Sequence, residues 1–127
     1  ADTYARGMQA MEAVYGQGGV PGMPPAEHLP PFIEKTLEHL FADVWMRPGL
    51  SIRDRRLLVL GATASLGRSD LVEIQITGAL KNKELSPAEL QEAVLQLAYY
   101  VGWGNASSTF QGVMAAIQKV AAASPSS

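Results

Sequence analysis

The run Leu57–Ala64 restricts the fold of this chain more than any other segment, because it is apolar on nearly every side. A helix of that composition has no face that suits water, so it is buried on several sides, in the centre of a domain or inside an oligomer. We therefore predict that it is a central helix. We also expect an obligate oligomer, because a single thin bundle would leave a large apolar patch exposed.

Helical spacing of apolar residues, interrupted by glycine and proline, predicts the other elements. Tyr4, Met8, Met11 and Tyr15 share one helical face in the first segment. Residues 86–89, Ser-Pro-Ala-Glu, combine an N-cap serine, a proline at the first helical position and a glutamate three residues after the cap. The predicted helices cover approximately residues 4–15, 30–46, 52–66, 70–82, 86–101 and 106–122.

No stretch shows sustained period-two alternation, so we predict an all-α fold of about six helices without strands. One domain would cover residues 1–127, with an N-terminal helix and a Gly/Pro-rich loop in residues 1–25 and a flexible tail in residues 123–127. Ser51 with Asp54 predicts a cap at the start of the central helix. Gly102 and Gly104 are predicted to separate the last two helices.

Composition excludes several classes of function. Ten basic and twelve acidic residues, without a Lys/Arg cluster, do not favour a nucleic-acid partner. The absence of cysteine excludes disulfides, thiolate metal sites and CxxC redox chemistry, and two histidines are too few for a His-rich metal site. No apolar run approaches the roughly 18 residues that cross a bilayer, and the start has no signal-peptide pattern, so we expect a cytoplasmic protein without metal or membrane partner.

Residues 41–51, FADVWMRPGLS, resemble the segment that precedes the first core helix in the carboxymuconolactone decarboxylase family. Arg55 falls where that family places an arginine at the start of this helix. The similarity continues in order through nearly the whole chain, in Leu66-Gly67-Arg68 with Asp70, residues 78–82, residues 86–92 and Tyr100-Val101-Gly102, and earlier in Tyr4, Arg6-Gly7 and Tyr15-Gly16.

The resemblance implies an all-α fold of the alkyl hydroperoxide reductase D-like type, assembled into a homo-oligomer such as a trimer or hexamer. It also implies an enzyme without cofactors, since the family's namesake activity decarboxylates 4-carboxymuconolactone to an enol-lactone in aromatic compound catabolism. The alkyl hydroperoxide reductase D branch is instead a peroxidase with a CxxC pair, and this cysteine-free chain cannot use that route.

Two further departures concern histidines. Gln75 stands where the decarboxylases carry a histidine on the helix after the Leu-Gly-Arg turn, and Gln96 stands where they often carry a second one, four residues after Glu92. Glutamine does not exchange protons near neutral pH, so neither residue is a general acid or base, although each can orient a carbonyl or carboxylate. Lys83-Glu84 also adds one residue to the turn before Ser86.

Glu92, Gln96, Tyr99 and Trp103 lie at i, i+4, i+7 and i+11 and form one stripe, here called the α5 stripe, on the fifth helix. A polar and aromatic stripe of this kind suits the lining of a pocket. The alternative for Glu92 is a solvated carboxylate, and for Gln75 and Gln96 an exposed or pair-bonded amide. In the resemblance Glu92 is the catalytic candidate, whereas Gln75, Gln96, Tyr99 and Trp103 are candidate substrate-binding residues.

Arg55 is a further candidate, because a guanidinium binds a substrate carboxylate bidentately. Its neighbours Arg53 and Arg56 weaken that signal, and an ordinary surface or intersubunit arginine is the alternative. His28 and His39 are interpreted as surface histidines, with entry into a neighbouring subunit's pocket as the other possibility.

The leading hypothesis is a cofactor-free decarboxylase, or a related lyase or isomerase, acting on a small lactone or keto acid. Arg55 would hold a carboxylate, Gln75 and Gln96 would fix a lactone or enolate oxygen, and Glu92 would move the proton. The alternative is a small-molecule binder or structural oligomer that has lost this chemistry. The two differ in whether Glu92 lines an enclosed cavity or is open to water. A peroxidase without cysteine is the weakest hypothesis.

Overall fold

The computed structural model describes residues 2–16 and 26–123, and no strand occurs in these two ranges. The six α-helices of this part of the chain are α1 (Asp2–Tyr15), α2 (Pro31–Lys35), α3 (Ile52–Ser65), α4 (Ser69–Lys81), α5 (Pro87–Val101) and α6 (Trp103–Ala123). The predicted all-α class is therefore confirmed. The Gly/Pro-rich stretch 17–25 and the tail 124–127 lie outside the described residues, and the single-domain assignment stays a prediction.

Serine caps start α3 and α5 as the sequence predicts. The Ser51 hydroxyl accepts a hydrogen bond from the Asp54 amide at 3.0 Å. Ser86 accepts from the Glu89 amide at 3.1 Å, and the Glu89 carboxylate accepts from the Ser86 amide at 2.9 Å, which completes a reciprocal capping box. These bonds satisfy backbone N–H groups that would otherwise lack partners at the helix starts.

The helix predicted from Pro30 to about Met46 is wrong as a single element. After α2 the chain widens into a π-helical segment, Thr36–Phe41, where the Ala42 amide donates to the Leu37 carbonyl at 2.9 Å, and a separate 3-10 turn follows at Val44–Met46. The wider turn places Leu37 and Phe41 together against α1, where both are buried. Side-chain burial at this junction therefore takes precedence over regular α geometry.

The predicted break at Gly104 is also wrong. Gly102, with φ +92°, ends α5, and α6 begins at the next residue, so Gly104 lies inside that helix. Of these two glycines, only Gly102 has a positive φ, which other residues rarely adopt. One glycine is enough for the turn between α5 and α6.

Two apolar clusters form the interior. The first joins α3, α4, α5 and α6 around Leu60, Ile76, Leu90 and Val113. The second joins α1 to the π-helical segment and the 3-10 turn around Val14, Leu37, Phe41 and Trp45, with the predicted apolar face of α1 packed on it. Gly112 allows α6 to approach α4, because a Cβ at that position would lie 2.6 Å from the Ser69 carbonyl oxygen and 2.8 Å from Val72.

The central helix α3 is only partly buried within one chain. Leu60 and Ala64 are buried, but Leu58 and Leu66, eight residues apart on the outer face, are 65% and 67% exposed. Of the two predicted ways to bury this helix on several sides, the centre of a single chain does not cover its outer face, and an oligomer is the other. The homo-oligomer that would cover this face stays a prediction.

Among the described residues, no helix combines the length and apolar character needed to cross a bilayer.

Two glycines of α6 test the packing against α4. Gly112→Ala is expected to lower the free energy of unfolding by about 1–3 kcal/mol, because the new methyl group overlaps α4. Gly104→Ala is the matched control, since a Cβ there meets no atom within 4 Å and should stabilise the helix by up to about 1 kcal/mol. Urea unfolding of both variants measures the difference, and equal effects would contradict the close approach.

Candidate functional site

The most elaborate polar cluster surrounds Arg56 of α3, whose side chain is fully buried. Its Nε and Nη2 donate to the two carboxylate oxygens of Glu84 at 3.1 and 3.0 Å. Nη1 donates to the Gln75 amide oxygen at 3.0 Å, and Nη2 also donates to the Val14 carbonyl at the end of α1. The Trp45 ring centroid lies 5.7 Å from the guanidinium carbon, within cation–π range. Arg56 thus has a partner on each side.

Tyr15 and Asn82 extend this cluster towards α1. Gln75 Nε2 donates to the Tyr15 hydroxyl over a long 3.4 Å, while Asn82 Nδ2 donates to Glu84 at 2.9 Å and to the Ala13 carbonyl at 2.6 Å. Burial raises the pKa of the Tyr15 phenol above its ordinary value, although the Gln75 hydrogen bond and the Arg56 charge act in the opposite direction. The phenol is therefore neutral at physiological pH.

The Arg56 cluster is suited to holding helices together rather than to chemistry. Its cation is paired with a carboxylate in a bidentate geometry, and the Gln75 amide uses both its oxygen and its nitrogen within the cluster. A substrate carboxylate would have to displace Glu84 to reach Arg56. We therefore interpret the Arg56–Glu84 pair as a structural ion pair.

Sequence reasoning selected Arg55 and missed Arg56. Arg56 is in helical register with the buried Leu60 and Ala64, at i+4 and i+8, and that register was the available signal. Arg55 is half-buried, and its Nη2 donates to the Arg47 carbonyl at 3.1 Å, while its Nε is buried without a hydrogen-bond partner. The structure shows no carboxylate on Arg55 in the described residues, and its role as a clamp stays a prediction.

Glu92, Gln96 and Tyr99 lie on one face of α5, as predicted, but Trp103 begins α6 after the turn at Gly102, so the stripe predicted on a single helix is wrong at Trp103. The face of α5 that carries the other three residues is open. Glu92, Gln96 and Tyr99 are all exposed, and Trp103 is 62% exposed. The Tyr99 and Trp103 rings meet edge-to-face, with centroids 5.7 Å apart and planes at 88°. Within one chain, Glu92 therefore does not line an enclosed cavity.

Gln75 does not join the α5 stripe. Its side-chain amide bonds to Arg56 and Tyr15, whereas Gln96 is exposed on α5. The structure thus separates the two glutamines that stand at the family's histidine positions, and a single chain does not bring Gln75, Arg55 and Glu92 together around one ligand. His28 and His39 are both exposed, as the surface interpretation expects.

A groove of about 530 Å³ runs between α5 and α6. Sequence reasoning missed it because it depends on how the two helices pack. Trp103 of α6 lines this groove, and its ring contacts that of Tyr99 on α5. One wall comes from α5, with Gln91, Val94, Leu95 and Ala98, and the other from α6, with Trp103, Ala106, Ser107, Phe110 and Gln111.

The lining of the groove is mainly apolar, with two amides and one hydroxyl, which is the usual composition of a small-molecule site. Its volume falls within the roughly 300–1,000 Å³ of typical ligand pockets. Elsewhere in the described part of the chain, no group of three or more His, Asp or Glu side chains is arranged to hold a metal ion.

Glu84 tests whether the Arg56 cluster holds the fold. Glu84→Ala is expected to lower the free energy of unfolding by about 3–5 kcal/mol, because it leaves a buried guanidinium without its counter-charge. Glu73→Ala removes a carboxylate from a more exposed pair with Lys119 and should cost less than about 1 kcal/mol. Chemical unfolding compares them, and a similar small loss in both would contradict the structural role of Glu84.

The model of the carboxymuconolactone decarboxylase family matches residues 30–115, which contain α2 to α5 and most of α6 up to Ala115. No curated protein matches the chain.

Proposed function

The chain belongs to the carboxymuconolactone decarboxylase family, and on that premise we propose that it binds a small organic molecule in the groove between α5 and α6. The observation that carries the proposal is the groove itself, a volume of about 530 Å³ with apolar walls and a few hydrogen-bonding groups. Such a lining buries most of a small ligand while amides and hydroxyls orient it.

The positions of the two glutamines favour binding over the family's decarboxylation chemistry. Gln75 is committed to Arg56 and Tyr15, and Gln96 is exposed, so neither amide lies in the groove lining. The groove also lacks an ionisable side chain that would transfer a proton. Binding requires only shape, apolar contact and hydrogen bonds, which the residues of the groove lining provide.

Filling the groove tests this proposal. Ser107→Trp is expected to lower the affinity for a small lactone such as coumarin by about tenfold or more, because the new ring occupies ligand space. The Ser107 hydroxyl bonds only within its own helix, to the Trp103 carbonyl at 2.9 Å, so the change should leave the fold intact. Gln118→Trp, exposed on α6 outside the groove, is the matched control. Isothermal titration measures affinity, and equal affinities in all three proteins would overturn the assignment of the groove.

A cofactor-free decarboxylase, or a related lyase or isomerase acting on a lactone or keto acid, is the second candidate function. One observation favours it: Trp103 connects the groove to the α5 stripe, so Glu92 lies on the helical face adjoining the ligand space. An exposed carboxylate there is free to accept a proton from a bound carbon acid. In this proposal Glu92 is the proton-transfer group, and Gln96 and Tyr99 orient the substrate.

Glu92→Gln tests the second candidate, since the amide keeps the shape and removes the titratable group. Turnover of a lactone or keto-acid substrate is expected to fall by about 10²–10⁴-fold. Glu73→Gln, on α4, is the control and should keep full turnover. Full turnover in Glu92→Gln would remove Glu92 from the mechanism.

A further inference from the structure

The two helices that form the groove carry almost no positive charge. α5 (Pro87–Val101) contains Glu89 and Glu92 and no lysine or arginine. α6 (Trp103–Ala123) contains a single basic residue, Lys119, whose Nζ lies 4.0 Å from a carboxylate oxygen of Glu73 on α4. The groove lining itself has no ionisable side chain. The charge on these helices is therefore negative or already paired.

We propose that the ligand of this groove is an uncharged, ring-containing molecule, and not a carboxylate. This inference rests on the proposed function and narrows it to one chemical class. An ionised carboxylate would lose its hydration against apolar walls without gaining a cation, which is strongly unfavourable. It would also approach the negative charge of Glu92 on the adjoining face.

The α6 wall of the groove carries two aromatic side chains, which favours a planar ligand. Trp103 and Phe110 are seven residues apart, which places them on one side of α6 about two turns from each other. Both rings remain partly exposed, at 62% and 41%, so a flat ring laid between them would cover apolar surface that water now contacts. Stacked and edge-to-face contacts with these rings depend on a ligand that has a π face.

The polar groups of the lining suit neutral oxygen atoms. Gln91 Nε2 donates to the Met114 sulfur at 3.8 Å. A thioether sulfur is a weak acceptor, so a ligand carbonyl in its place would form a stronger hydrogen bond with Gln91. Gln111 and Ser107 lie on the opposite wall and offer further neutral donors and acceptors. A neutral lactone, ketone or phenol matches these groups, and each keeps its hydrogen bonds on leaving water.

A matched pair of probes tests the charge preference. We use coumarin, a neutral bicyclic lactone, and coumarin carboxylate, which adds one negative charge to the same rings. Backbone-amide NMR titration of the full chain is expected to show shifts in the groove walls of α5 and α6, with coumarin binding about tenfold or more tightly than its carboxylate.

Charge variants then locate that preference. Gln111→Lys places a cation in the groove wall and should strengthen binding of coumarin carboxylate about two- to fivefold, as a partly exposed ion pair would. Gln9→Lys is the control, because it adds the same charge at an exposed position of α1, outside the lining, and should leave the ratio of the two affinities unchanged.

Each outcome separates this inference from the proposed function beneath it. Failure of both probes to shift the groove amides at any concentration overturns both the ligand groove and the charge preference. Equal or tighter binding of the carboxylate in the unmodified protein overturns the charge preference and leaves the groove as a ligand site. Groove amides that are shifted by protein concentration and not by coumarin show that a second copy fills the groove, which also overturns the inference. The supporting result is tighter binding of coumarin than of its carboxylate, with a difference that Gln111→Lys reduces and Gln9→Lys leaves unchanged.

Discussion

The buried guanidinium of Arg56 is the interaction on which the arrangement of the helices depends. A buried cation requires a full set of partners, and here they come from four separate places: Glu84 after α4, Gln75 within α4, the last turn of α1, and the ring of Trp45. Because Arg56 of α3 bonds both the Val14 carbonyl and Gln75, this polar junction ties the end of α1 to α3 and α4. Glu84 follows α4 in the chain, and the turn that leads to it passes through Lys83, which adopts the left-handed backbone conformation with φ +57°.

That junction also bears on the ligand site that we propose. Arg56 and Gln75 satisfy each other inside the protein, so the region around Gln75 has no free polar group to offer a substrate. The open volume is instead the groove between α5 and α6, where Leu95, Trp103 and Phe110 remain exposed. A site there relies on apolar contact and neutral hydrogen bonds, which differs from the chemistry implied by the family's name.

Local signals in the sequence predicted most of the fold. Caps at Ser51 and Ser86 act within four residues, and helical periodicity identified α1, α3, α4 and α5 to within about two residues, because both depend on neighbours in the chain. The π-helical segment at Thr36–Phe41 was not predictable, since it arises where α1 meets Leu37 and Phe41. The same limit applies to the candidate site: the α5 stripe follows from spacing, whereas the groove and the burial of Arg56 follow from helix packing.

Gln75 and Gln96, which the resemblance aligns with histidines of the decarboxylases, lie in different environments. At position 75 the side chain accepts from Arg56 and donates towards Tyr15 at once, and an amide carries an acceptor and a donor on the same carbon. A neutral imidazole also has one of each, but its protonated form would place a second cation beside Arg56, whereas the amide stays neutral. Glutamine at 75 and arginine at 56 therefore form one coupled feature. Gln96, exposed on α5, has no such constraint, so its replacement bears on the surface beside the groove and not on the stability of the fold.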